Sequence, residues 1–134
     1  MIVLDEQLLG RNLDKAIAAW YPGAVCFVTE LRPHTIIKDD AIPSLLRQQK
    51  EATFVTINES DFWQLVEITT DFCVICVALP DSQALLIPEL LRGILQHPRF
   101  QTKAQRMGCV IRVSINTLAY YTETQRTPES LSMK

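Results

Sequence analysis

Acidic side chains stand where the sequence predicts strands to end or helices to begin. Asp5 follows an apolar segment at residues 1–4, Asp39 opens a helical pattern, and Glu59 and Asp61 follow a β-branched segment at residues 53–57. In alternating strand and helix folds, the carboxyl ends of parallel strands meet at one edge of the sheet. Carboxylates gathered there repel one another unless a cation joins them, and the usual cation is a hard divalent ion with oxygen ligands. The sequence therefore predicts a Mg²⁺ or Mn²⁺ site.

Each acid taken alone has a structural interpretation. Asp39 and Asp40 are suited to the start of a helix, and Asp61 would be favoured by the dipole of the helix that it opens. Only the position of all three sites at one expected edge favours a shared site.

A basic stretch lies in the second half of the chain, although the formal net charge is only −2. Residues 92–112 hold arginine, lysine and histidine without a carboxylate. We expect Arg99, Lys103 and Arg106 to contact substrate phosphate beside the acidic site; the alternative is an ordinary solvated helix end and loop.

Hydrophobic periodicity supplies the elements that would position these residues. Apolar runs predict strands at residues 1–4, 24–29, 53–57 and 72–79, with helical patterns between them and after the last. Residues 109–115 and 118–121 flank a short turn and predict a closing hairpin. Because parallel neighbours need crossover connections, the pattern predicts a three-layer α/β/α fold with a mainly parallel central sheet.

Length and composition fit one domain. A chain of 134 residues with 48% hydrophobic content can bury a core without disulfide or metal staples. We expect the domain to cover residues 1–121 and the polar tail, residues 122–134, to be disordered. Cys73 and Cys76 form a C-x-x-C pair within an apolar strand, where they should point to opposite faces and act as buried hydrophobes.

No apolar run approaches the roughly 20 residues that span a bilayer, and residues 1–5 lack the features of a secretory signal. We therefore expect a cytoplasmic protein that is not associated with a membrane.

Three segments together resemble a known family. Val3-Leu4-Asp5-Glu6, residues 37–42 (Ile-Lys-Asp-Asp-Ala-Ile) and residues 55–62 (Val-Thr-Ile-Asn-Glu-Ser-Asp-Phe) resemble the PIN-like nucleases. The likeness is closest to their small single-domain branch of predicted toxin-antitoxin components, and it covers about residues 1–121 in order and spacing.

The resemblance implies a metal-dependent ribonuclease in which Asp5, Asp39, Glu59 and Asp61 are the catalytic and metal-binding residues. Cleavage of a phosphodiester needs an activated water and a stabilised leaving oxygen, which divalent ions supply. RNA would be the substrate, and an antitoxin protein and a second copy of the chain are the candidate partners. The sequence departs from the family pattern at Glu59, which stands where the family has the first aspartate of an acidic pair, with Asn58 before it.

The sequence is also compared with two other functions, an interaction module and a receiver domain. A PIN-like fold without catalysis would act as a protein interaction module. A phosphate-accepting receiver domain also carries a first-strand acid pair, but it requires an aspartate after the third strand and a lysine after the fifth. This chain has Asn58 and Ser114 near those places, so the receiver interpretation is set aside.

Overall fold

Seven strands form one sheet in the computed structural model, which describes residues 1–133. The strands are β1 (Ile2–Leu4), β2 (Val25–Phe27), β3 (Ala52–Thr56), β4 (Phe72–Val77), β5 (Cys109–Val113), β6 (Leu118–Thr122) and β7 (Glu129–Leu131). Their order across the sheet is β2-β1-β3-β4-β5-β6-β7. The first five strands are parallel and the last two pair antiparallel. The expected mainly parallel sheet is therefore confirmed.

Six short α-helices connect or flank the strands. They are α1 (Leu13–Ala18), α2 (Val28–Leu31), α3 (Ile42–Arg47), α4 (Glu59–Phe62), α5 (Ile87–Gln96) and α6 (Lys103–Arg106), within the described part of the chain. Single 3₁₀ segments precede α1, α3 and α5 at Glu6–Leu8, Asp39–Ala41 and Asp81–Leu86. Pro43 and Pro88 lie in the first turns of α3 and α5, where a missing N–H removes no intrahelical hydrogen bond.

The helices cover both faces of the sheet. Leu13 and Leu91, from α1 and α5, belong to one buried cluster, whereas Leu45 and Phe62, from α3 and α4, belong to a second cluster on the other face. All six residues of β4 are fully buried, as its continuous apolar run predicts for a strand covered on both sides. The structure therefore has three layers, α/β/α.

Strand β4 also settles the orientation of the C-x-x-C pair. Cys73 packs in the cluster with α1 and α5, and Cys76 packs in the cluster with α3 and α4. Both thiols are free and buried. The two cysteines point to opposite faces, as predicted, and cannot chelate one ion together.

The strand order creates a crevice between β1 and β3. From β1 the chain passes to β2 on one side, and β3 pairs with β1 on the other side. In open parallel sheets, ligands bind outside the carboxyl ends of the strands at such a reversal of strand order. Asp5 directly follows β1, and Asn58 lies two residues beyond β3. The sheet therefore carries these polar residues to the edge where this rule places ligands.

The end of the chain differs from the expectation of a disordered tail. The predicted hairpin is present as β5 and β6, whose turn is closed by a hydrogen bond from the backbone N–H of Ser114 to the carbonyl of Thr117 (2.9 Å). The sheet then continues, because β7 pairs with β6 in the register Leu118↔Leu131 and Tyr120↔Glu129. Within residues 1–133, no helix is long and apolar enough to cross a bilayer.

Candidate functional site

The carboxyl group of Asp5 is buried at the end of β1. Its residue is only 3% exposed, and Oδ2 accepts a hydrogen bond from Oγ1 of Thr56 at 2.6 Å. The backbone N–H of Asp5 donates to the carbonyl of Val55 (3.0 Å), which ties this residue to β3. Burial raises the pKa of Asp5, and the hydrogen bonds from Thr56 and from the backbone of Glu6 oppose that rise. Asp5 is thus a fixed, buried carboxylate directly after the end of β1.

Asn58 connects Asp5 to the acids of two other segments. Its backbone N–H donates to Thr56 Oγ1 (2.9 Å), the same hydroxyl that donates to Asp5. Its side-chain Nδ2 donates to Oδ2 of Asp61 at 2.6 Å and lies 3.4 Å from Oδ2 of Asp39. One amide therefore bridges carboxylates that are 22 residues apart in the chain. We name Asp5, Asp39, Asp61, Thr56 and Asn58 the acidic crevice.

The acids of the crevice influence one another electrostatically. The pKa of Asp39 is raised, first by partial burial and then by the negative charges of Asp5, Asp61 and Glu6. Asp39 belongs to a 3₁₀ segment at the start of α3, and Asp61 lies in α4. Three acids that the sequence predicted to converge are therefore gathered at one edge of the sheet.

Glu59, the fourth predicted ligand, has a different partner. Its Oε1 lies 2.6 Å from Nε of Arg112 in β5, and both side chains are about one-third exposed. A carboxylate that neutralises a guanidinium at this distance is drawn away from a shared cation. The structure thus gives Glu59 the role of an ion-pair partner beside the crevice.

The basic residues predicted to meet phosphate lie at the opposite edge of the sheet. Helix α6 ends at Arg106, three residues before β5 begins. The backbone N–H of Gly108, which lies between them, donates to the carbonyl of Phe72, the first residue of β4 (2.9 Å). Residues that precede parallel strands lie at the amino edge, whereas the acids follow strands and lie at the carboxyl edge. The sheet therefore separates Arg99, Lys103 and Arg106 from the acidic crevice.

Two of these three basic residues also have structural partners. Arg99 donates from Nε to the hydroxyl of Tyr120 (3.2 Å), and its guanidinium carbon lies 4.8 Å from the centre of that ring. Arg106 is 4% exposed and donates from Nη1 to the carbonyl of Phe100 (2.9 Å). Neither side chain can contact a substrate bound among the acids.

A basic residue that the sequence did not single out borders the acids. Arg47, at the end of α3, lines a cavity of about 490 Å³ together with Asp39 and Asp61. Thr56 and Asn58 were also missed as site residues. A threonine closing a buried strand, followed two residues later by an asparagine, was a usable signal, whereas the position of Arg47 depends on the packing of α3.

The donor chemistry of the acidic crevice fits a hard divalent cation. Carboxylate, amide and hydroxyl oxygens are the ligands that Mg²⁺ and Mn²⁺ prefer. However, no three histidine, cysteine, aspartate or glutamate side chains among residues 1–133 are arranged as a metal site. The amide nitrogen of Asn58 lies between Asp39 and Asp61, so a cation would have to displace it.

Comparison with known proteins adds no relative. No family model, no curated protein and no solved structure matches this chain.

Proposed function

We propose that this protein is a metal-dependent ribonuclease that binds Mg²⁺ or Mn²⁺ in the acidic crevice. The observation that carries the proposal is that Asn58 bridges Asp39 and Asp61 and shares the hydroxyl of Thr56 with the buried Asp5. Neighbouring carboxylates of like charge are stabilised best by a cation. The resemblance of three sequence segments to PIN-like nucleases points to the same chemistry.

Each side chain has a distinct part in this proposal. Asp5 would supply a fixed ligand oxygen, since Thr56 and burial hold its carboxylate in place. Asp61 would supply a second ligand oxygen once Nδ2 of Asn58 has turned away. Rotation of the Asn58 amide would then present its Oδ1, which accepts a hydrogen bond from Ser60 at 3.3 Å, to the same centre. A bound divalent ion would activate water and stabilise the charge of the leaving oxygen.

Asp39 is the residue of the crevice best placed to exchange a proton. It is exposed, so it is open to the substrate side, and its pKa is raised by partial burial and by neighbouring acids. A carboxyl group with a raised pKa is a stronger base than an ordinary aspartate. In this role Asp39 would take a proton from the attacking water or return one to the leaving group.

Substrate would enter along the cavity beside α3 and α4. Arg47 on its wall offers a guanidinium to a phosphate oxygen, and Leu65, which is 68% exposed, offers an apolar surface. A protein that covered this cavity would block access to the acids. An antitoxin partner, if the chain is the toxin of such a pair, would be expected to act there.

The proposal is tested with a fluorescent single-stranded RNA incubated with protein and Mn²⁺, with EDTA as the metal-free control. We expect cleavage by the wild type and its loss, by about 100-fold or more, in Asp5→Asn and Asp61→Asn. Asp71→Asn is the matched control, because this exposed aspartate immediately precedes β4 at the amino edge. Equal loss in the control variant, or cleavage that survives EDTA, would reject the assignment.

A second function is favoured by one specific observation. Asn58 already bridges Asp39 and Asp61, and Arg112 already neutralises Glu59, so the crevice is partly satisfied without a metal. A protein of this kind could serve as a non-catalytic interaction module. Absence of both Mn²⁺ binding by calorimetry and metal-dependent cleavage in the wild type would select this function.

A further inference from the structure

A second cavity lies at the amino edge of the sheet, away from the acidic crevice. Its volume is about 590 Å³, within the range of small-molecule sites. Its walls come from the segment after α1, from the second half of α5 and from the loop and helix before β5. We name it the basic cavity; the lining residues used below are Trp20, Tyr21, Arg92, Lys103 and Arg106.

The basic cavity is positively charged and has no acidic wall. Arg92, Lys103 and Arg106 line it, and none of its lining residues is an aspartate or a glutamate. The ion pairs found within residues 1–133 join other residues, Arg11 with Asp81 and Arg112 with Glu59. Three cationic side chains therefore share one concave surface without a carboxylate partner in the described chain.

Arg106 makes this surface more than a solvated patch. The residue is 4% exposed, and Nη1 donates to the carbonyls of Phe100 (2.9 Å) and Gln101 (3.3 Å). Its Nε is buried and has no hydrogen-bond partner among the described residues. A buried guanidinium is costly unless an anion pairs with it, and a phosphate matches its fork of donors. An anion in the basic cavity would supply the negative counter-charge that the guanidinium of Arg106 lacks.

Aromatic side chains give the cavity a second recognition element. Trp20 and Tyr21 line it, and the guanidinium carbon of Arg92 lies 5.9 Å from the centre of the Trp20 ring. An indole ring next to cationic groups can stack against a planar ring of a ligand whose phosphate meets those cations.

We propose that the basic cavity binds a phosphate monoester attached to a planar ring, of which a nucleoside monophosphate is the simplest example. Lys103 and Arg92 contact the phosphate at the mouth, Arg106 approaches it from the buried side, and Trp20 packs against the ring. This site is separate from the proposed catalytic acids, since the two lie at opposite edges of the sheet.

The test is calorimetric titration of the full chain with AMP, ribose 5-phosphate and inorganic phosphate in buffer without divalent ions. We expect AMP to bind more tightly than the other two, and affinity to fall about tenfold or more in Lys103→Ala and Arg92→Ala. Lys38→Ala is the control, because it removes an equal charge next to Asp39 at the other edge. Trp20→Leu should weaken AMP more than inorganic phosphate.

Three results would overturn the proposal or part of it. If AMP does not bind to the wild type at millimolar concentration, or if Lys38→Ala weakens it as much as Lys103→Ala, the cavity is not a phosphate site. Equal affinity for AMP and inorganic phosphate would show that the planar ring of the ligand does not contribute to binding. Asp61→Asn should retain AMP binding, so failure of the nuclease assignment and failure of this one are distinguishable.

Discussion

Arg112 and Glu59 form an ion pair that joins β5 to the first residue of α4, with Nε and Oε1 2.6 Å apart. Glu59 is the position at which the resemblance to the PIN-like nucleases is interrupted. Its carboxylate has a partner on a neighbouring strand, which gives it a structural role. The metal-binding proposal therefore relies on Asp5 and Asp61, with Asp39 beside them, and does not require Glu59.

Substitution of Glu59 separates these roles. We expect Glu59→Gln to change Mn²⁺ affinity by less than about threefold and to lower the free energy of unfolding by at most about 1 kcal/mol, since the pair is partly exposed. Asp61→Asn should weaken Mn²⁺ by about tenfold or more. Calorimetric titration and urea unfolding measure both effects, and a larger loss of Mn²⁺ binding in Glu59→Gln than in Asp61→Asn would return Glu59 to the ligand set.

The raised pKa of Asp5 predicts a pH-dependent stability. Because burial favours the protonated form, the folded state binds more protons than the unfolded state between the ordinary aspartate pKa of about 3.9 and the raised value. The contribution of Asp5 to stability is present below the lower pKa and is lost as pH rises through the higher one. We expect Asp5→Asn to reduce this loss, measured by urea unfolding from acidic to neutral pH in EDTA.

The same comparison has an internal control. Asp39 also has a raised pKa, so part of the pH dependence should persist in Asp5→Asn and decrease further in the double variant with Asp39→Asn. Identical slopes in the wild type and the double variant would contradict the assignment of these groups.

We expect Asn58→Asp to lower the stability of the metal-free protein and to raise its affinity for Mn²⁺. Asn58→Asp removes the donor that bridges Asp39 and Asp61 and adds a like charge, so the metal-free protein should lose about 1–2 kcal/mol of unfolding free energy. The added carboxylate should increase Mn²⁺ affinity. Thermal unfolding with and without Mn²⁺ tests both effects, and a variant that is not stabilised further by Mn²⁺ than the wild type would contradict a cation position next to residue 58.

Thiol reactivity tests the orientation of the cysteines. Burial raises the pKa of all three thiols, that of Cys76 to about 12, but Cys26 is only partly buried whereas Cys73 and Cys76 are buried. Because the thiolate is the reactive form, we expect alkylation of the native protein to label Cys26 first, and Cys73 and Cys76 only on unfolding. Mass spectrometry after timed iodoacetamide treatment identifies the sites. Rapid labelling of Cys76, or stoichiometric Zn²⁺ binding lost in Cys73→Ala, would oppose this arrangement.

The fold was accessible from the sequence where hydrophobic patterns were strong. The continuous apolar run of β4 predicts a strand covered on both faces, and the β-branched residues of β3 predict its partner. By contrast, β7 has the sequence Glu-Ser-Leu and carries no strand signal of its own. Its conformation comes from pairing with β6, and such tertiary context is not visible in local sequence.

Part of the candidate site could be predicted from the sequence, because the direction of the chain decides which residues share an edge of the sheet. The positions of Asp5 and Asp61 after strands predict that they share an edge, because chain direction fixes which residues follow a strand. The same rule places Lys103 and Arg106, which precede β5, at the other edge, so their separation from the acids could have been predicted. The bridging by Asn58 could not, since it depends on the side-chain directions of three separate segments.

The reversal of strand order around β1 has an evolutionary consequence. The polar side chains near Asp5 follow from the path of the backbone, and Asn58 and Asp61 lie in the turn and short helix after β3, outside the buried core. Substitutions at Asn58 or Asp61 can therefore change which reaction, ion or partner the protein accepts while the scaffold persists. In such an architecture, loss or gain of catalysis requires only a few exchanges at positions just beyond the strand ends.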